Sequence, residues 1–162
     1  MKLLPLLAAL IALPVVAQDF PGKPIRMVVG FPPGGGTDVV ARIITPRYSE
    51  LLGQSVVIEN RPGATGTMAA GQVAKSTPDG YTIMMGHVSV NAIAPALFTN
   101  LSYDVIKDFA PIGIAAAVPH FVTVHPSLKG SSLGELISYL KTKPDLTFPS
   151  SRTGSMPHLA CE

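Results

Sequence analysis

Apolar positions fall into two rhythms along this chain, solid runs of four to five residues and helical spacings. Ile25-Arg26-Met27-Val28-Val29 is a solid run and predicts a buried strand. Residues 37–52 have helical spacing, with Thr37 or Asp38 near the N-cap and Gly53 at the C-terminal stop. Pro46 falls inside that helix and predicts a kink. Residues 55–59 predict a second strand, Asn60-Arg61-Pro62-Gly63 a turn, and residues 67–75 a helix of small residues. Pro78-Asp79-Gly80 predicts another turn, before a third strand over residues 81–85. A helical patch follows over residues 92–98, and residues 112–118 and 121–124 are further apolar runs. Residues 132–143 predict an amphipathic helix with Leu133, Leu136, Ile137 and Leu140 on one face. Ser132 and Glu135 form its capping box. Leu146-Thr147-Phe148 predicts a short strand, and residues 155–162 open a last helix.

The order strand, helix, strand, helix, strand predicts an α/β fold with a parallel sheet and helices on both faces. The expected division is residues 1–17 as an address segment, 18–115 as the N-terminal part of a first domain and 116–162 as the start of a second. The final helix is short in this reading, so the chain is expected to be a truncated form of a larger architecture.

Residues 1–17, MKLLPLLAALIALPVVA, read as a secretory signal. Lys2 supplies the charged start, an apolar run follows, and Val15 and Ala17 are small residues before Gln18. The run is shorter than the ~20 apolar residues that span a bilayer, and Pro5 and Pro14 interrupt it. Export to the periplasm follows as an expectation. No cysteine stands after the signal to carry a lipid, and Cys161 is the only cysteine, so no intrachain disulfide is possible.

Composition narrows the function classes. The 162 residues carry Lys+Arg 12 against Asp+Glu 10, a net charge of +2, which gives no basic excess for gripping nucleic acid. Hydrophobic residues are 47% and charged residues 14%, which excludes a disordered charged tail. No Trp and 6% aromatics argue against a carbohydrate-stacking surface. Sixteen prolines, about twice the usual ~5%, argue against a helical bundle.

The chemistry concentrates in Phe31-Pro32-Pro33-Gly34-Gly35-Gly36-Thr37-Asp38, between the first strand and the first helix. Ligands in open α/β sheets bind outside the carboxyl ends of the strands. Glycines bring bare N–H groups close to a guest, and the helix start adds partial positive charge and unpaired donors. Together these make an anion site without Lys or Arg, suited to a carboxylate. The same glycines can also simply turn a corner. Asp38 reads first as a helix cap, since an inward carboxylate would repel an anion. The nucleotide motifs fail: no Lys follows the glycines, and Val39 stands where a dinucleotide fingerprint needs its third glycine. A second loop, Ser150-Ser151-Arg152-Thr153-Gly154-Ser155, repeats the strand-to-helix logic with hydroxyls. It reads equally as a solvated turn capped by Ser155.

Taken in order, these segments resemble one family. Lys23-Pro24-Ile25-Arg26, residues 31–38, Val57-Ile58-Glu59-Asn60-Arg61-Pro62-Gly63 and Pro78-Asp79-Gly80-Tyr81-Thr82 resemble the Bug family. These are TctC-like periplasmic solute receptors of tripartite tricarboxylate transporters. Lys107-Asp108-Phe109, Val124-His125-Pro126-Ser127-Leu128 and Pro157-His158-Leu159 continue the series. The resemblance implies a Venus-flytrap architecture of type II periplasmic-binding-protein topology. It implies a small carboxylated solute, such as a di- or tricarboxylate, and membrane subunits of the transporter as partners, with no cofactor. It places solute-binding residues at Phe31, Pro32, Pro33, Gly34, Gly35, Gly36, Thr37 and Asp38, and at Ser150, Ser151, Thr153, Gly154, Ser155 and His158. The family usually has glycine where Arg152 and Cys161 stand, and a Ser/Gly/Thr-rich pattern where His87-Val88-Ser89-Val90-Asn91 stands. A second reading is a remnant that keeps the pattern without closing a cleft.

An enzyme reading is weaker. His120 and His125 lack the i,i+4 spacing of a helical zinc pair, so no metal site is expected from the four histidines. Ser155 lies outside any Gly-x-Ser-x-Gly elbow. A hydrolase using Ser155 or Cys161 with His158 is the remaining catalytic alternative.

Overall fold

The computed structural model describes residues 19–128, 132–143, 145, 147 and 155–160. The expected signal segment, Cys161 and most of the strand expected at residues 146–148 lie outside the described residues. The described elements are β1 (Ile25–Val29), α1 (Gly36–Leu52), β2 (Val56–Asn60), α2 (Thr67–Ala74), β3 (Thr82–Met85), α3 (Ala94–Leu97), α4 (Leu133–Lys141) and α5 (Met156–Leu159). A 3-10 turn over Ala64–Gly66 leads into α2, and a π-helical turn over Ser89–Ile93 leads into α3.

The sheet is parallel with order β2-β1-β3. Ile25 lies opposite Val56 in one ladder, and Arg26 lies opposite Thr82 in the other. Four of the five positions of β1 are apolar and buried, which fits its central place between two strands, and the fifth, Arg26, pairs with Glu59 of β2. Ile25, Met27 and Val29 pack with Ala41 of α1, Val56 and Met85. The opposite face meets α2, where Ala69 and Ala70 are buried, and a second cluster joins Ala70, Val90 and Tyr103. The result is three layers, with α1 and α2 on either side of the sheet. Each fully buried valine of β1 contributes about 1.5–3 kcal/mol through its burial.

The small residues of α2 permit close contact with the sheet. A Cβ at Gly30, just beyond β1, would lie 2.9 Å from the Cα of Gly66. Helix α1 runs through Pro46 without ending there and stops at Gly53, which takes the left-handed conformation with φ 65°. Its N-cap is Gly35, in extended conformation, with no side-chain cap bond. This corrects the expectation of Thr37 or Asp38: both lie inside the helix, and the Asp38 carboxylate accepts from Gly34, Arg42 and Asn60.

Residues 109–125 run without regular structure, so the apolar runs at 112–118 and 121–124 join no strand ladder. Helix α4 forms with Ser132 as its cap, the Ser132 Oγ accepting the N–H of Glu135 at 3.3 Å. Among the described residues, no residue of α4 is buried. No described helix is long and apolar enough to cross a membrane.

Candidate functional site

From β1 the chain crosses to β2 on one side of the sheet, and from β2 it returns past β1 to β3 on the other. Loops leaving the carboxyl ends of β1 and β3 therefore diverge, and a crevice opens between them. A cleft of about 1060 Å³ occupies this position. Phe31, Pro32, Gly35, Gly36 and Thr37 line it from the loop after β1. Thr65 reaches it from the turn after β2, and His87, Ser89 and Asn91 from the turn after β3. Ser155 and Pro157 line it from the start of α5. No Lys, Arg, Asp or Glu is among these lining residues.

The cleft's polarity comes from backbone. Val39 N–H makes the first bond of α1, to Gly35 O at 2.9 Å. The N–H groups of Gly36, Thr37 and Asp38 precede it and have no intrahelical acceptor. Gly36 and Thr37 both face the cleft. The 17-residue helix behind them supplies roughly half a positive charge at that end.

Pro33, Gly34 and Asp38, also expected to touch a solute, stand outside the cleft lining. Asp38 is instead buried and tied to the loop's back. Its Oδ2 accepts the Gly34 N–H at 2.8 Å and the Arg42 Nε–H at 2.7 Å. Its Oδ1 accepts from Asn60 Nδ2 at 2.8 Å. That amide also donates to Phe31 O at 3.1 Å, and Arg42 closes the ring by donating to Asn60 Oδ1 at 3.2 Å. The Arg42 hydrogen bond first, then the Gly34 N–H and the Asn60 amide, hold the Asp38 carboxyl well below the usual carboxylate range. The charge that would repel an anion is thus matched by Arg42 behind the loop. Gly34 completes this turn with φ 82°, a conformation glycine adopts without a Cβ penalty.

In the second predicted loop, Ser150, Ser151, Thr153 and Gly154 lie outside the described residues. Ser155 is buried and its Oγ accepts the backbone N–H of His158 at 3.4 Å, a helix cap. The structure brings Ser155 to the same cleft as the first loop, while His158 is not among its lining residues.

Thr65, His87, Ser89 and Asn91 line the cleft although none was among the residues expected to bind solute. Thr65 holds φ 58°, in the left-handed region where non-glycine residues carry strain of about 1 kcal/mol and often serve function. His87 packs its ring against Phe31, with centroids 4.7 Å apart. Its Nδ1 accepts the Ser89 N–H at 3.1 Å. Burial, and then His120, lower the His87 pKa from its ordinary value. The strand order would have pointed to this third turn, because β3 neighbours β1.

Residues 40–162 match the family described as the tripartite tricarboxylate transporter family receptor. The chain belongs to that family. Protein BugT of Bordetella pertussis is 40% identical over 154 residues, covering 94% of this chain and 47% of that protein. An R. palustris protein solved with adipate superposes with a TM-score of 0.81 at 40% identity, over 88% of this chain and 48% of its own. The periplasmic binding protein BugD superposes with a TM-score of 0.72 at 33% identity, again over 88% and 48%. The fold is therefore the α/β architecture of these binding proteins. The chain spans about half the length of the curated relatives it matches.

Proposed function

We propose that this receptor-family chain captures a small carboxylated solute in the periplasm, as part of a receptor that delivers it to the membrane subunits of a tripartite tricarboxylate transporter. One observation carries this reading: Gly36 and Thr37, whose N–H groups lack intrahelical acceptors, belong to a cleft whose described lining has no Lys, Arg, Asp or Glu. Such a site favours an anion through helix dipole and backbone donors. Adipate in the R. palustris relative supports a carboxylate as the guest. A hydrolase has little support, because Ser155 lies outside any Gly-x-Ser-x-Gly elbow and His158 is not among the lining residues of the cleft.

The loop after β1 holds one carboxylate of the solute through the Gly36 and Thr37 N–H groups, and Ser155 approaches from the other side. Residues 1–17 act as the export signal in this reading. The test is a titration of the chain with small mono-, di- and tricarboxylates, followed by amide NMR shifts. Saturable shifts at Gly36 and Thr37 support the site. Uncharged amide analogues of the same acids shifting those signals equally would defeat it.

A further inference from the structure

Ser89 is 1% exposed, yet it belongs to the wall of the cleft. Among the described residues its Oγ has no hydrogen-bond partner. A buried hydroxyl left in that state costs on the order of 1–3 kcal/mol. Its position identifies what would relieve the cost, namely a polar group entering the cleft. His87 stands two residues earlier in the same wall. Because Ser89 N–H donates to His87 Nδ1, the neutral ring carries its proton on Nε2. The turn after β3 therefore offers two uncharged groups, an imidazole N–H and a hydroxyl. Contact between His87 and Phe31 sets this turn directly beside the loop that begins α1.

The two walls differ in kind. The start of α1 has helix dipole and backbone donors, which suit a charge. The turn after β3 has neutral side-chain groups, and no Lys or Arg is among the described lining residues. The start of α1 is the wall suited to the carboxylate, whereas a hydroxyl or oxo oxygen needs no more than the neutral donors of the β3 turn. We infer that Ser89 and His87 form a specificity wall that reads a hydroxyl or oxo oxygen on the carbon chain of the bound acid. This inference rests on the solute-binding reading above.

The test compares malate with succinate, which differ by one hydroxyl, in NMR titrations of the full chain and of Ser89→Ala. Wild type is expected to bind malate more tightly. Ser89→Ala should weaken malate about tenfold, the worth of one hydrogen bond of ~1.4 kcal/mol, and leave succinate within about twofold. Its unliganded melting temperature should not fall, because the lost hydroxyl had no partner. His87→Gln, which keeps a side-chain N–H, should retain more of the malate preference than His87→Phe. Equal loss for both acids, no loss for malate, or a lowered melting temperature in Ser89→Ala overturns the specificity wall alone. A wild-type chain that binds neither acid overturns the solute-binding reading, and this inference with it.

Discussion

Asp38 and Asn60 meet at 2.8 Å although 22 residues separate them in sequence. The contact joins the first turn of α1 to the last residue of β2, and the Asn60 amide extends it to Phe31 O. A loop rich in glycine is thereby held in one conformation, so less ordering remains to be done when a solute arrives.

Replacing Asp38 by Asn should lower both melting temperature and carboxylate affinity at neutral pH. The carboxyl titrates below its ordinary value of 3.8 in the folded chain, so the folded state favours its ionised form. That stabilisation is complete above the ordinary value and fades as pH falls below it. Thermal unfolding should show a wide gap between wild type and Asp38→Asn at pH 7 and a smaller one at pH 3, because the loss begins below the ordinary value and is complete only at the lower folded one. A gap that does not change with pH would assign the effect to packing.

Gly36→Val should separate binding from stability. A Cβ there meets nothing within 4 Å, and the residue faces the cleft. The side chain fits the fold but occupies the approach to the helix start. Stability should change by less than about 1 kcal/mol, while carboxylate affinity falls at least about tenfold. Calorimetry together with a thermal melt of the same sample checks both.

Gly30→Ala should do the reverse. Its Cβ would collide with Gly66 backbone at 2.9 and 3.2 Å, and backbone cannot rotate away. We expect a loss of about 1–3 kcal/mol, read as a lower urea midpoint with an unchanged slope.

His87 should make stability fall on mild acidification. Burial and His120 lower its pKa below the ordinary 6.5, so the unfolded chain takes up the proton more readily. Stability is thus lost as pH drops through that ordinary value toward the lower folded one. Urea unfolding at pH 7.5 and pH 5.5 should show a smaller drop for His87→Phe than for wild type. An equal drop would place the effect on other groups.

The sequence rendered local features well and distant ones poorly. The run Ile25–Val29 is a strand at the predicted bounds because a mostly apolar, β-branched stretch fits the centre of a parallel sheet. The second strand starts at Val56 rather than Ser55, since its extent is set by pairing with β1. Gly53 closes α1 as a left-handed stop should. Capping logic put Asp38 at the right end of the helix but missed its full set of partners, because one of them, Asn60, lies far along the chain. The helical patch expected from residue 92 begins at Ser89 as a π-helical turn, whose wider spacing leaves no simple apolar period. His87 and Ser89 stand in a turn with no glycine-rich signature, so only the order β2-β1-β3 brings them to the cleft.

That strand order also divides the molecule's freedom to change. The loop after β1 hangs from a strand enclosed on both edges and is braced by Asp38, Arg42 and Asn60, so most substitutions there cost stability. Among the described residues the turn after β3 hangs from an edge strand, and the Ser89 hydroxyl holds up nothing else. In the proposed reading, descendants of this sequence exchange one acid for another by altering the β3 turn, while the β1 loop and its carboxylate contact are inherited intact.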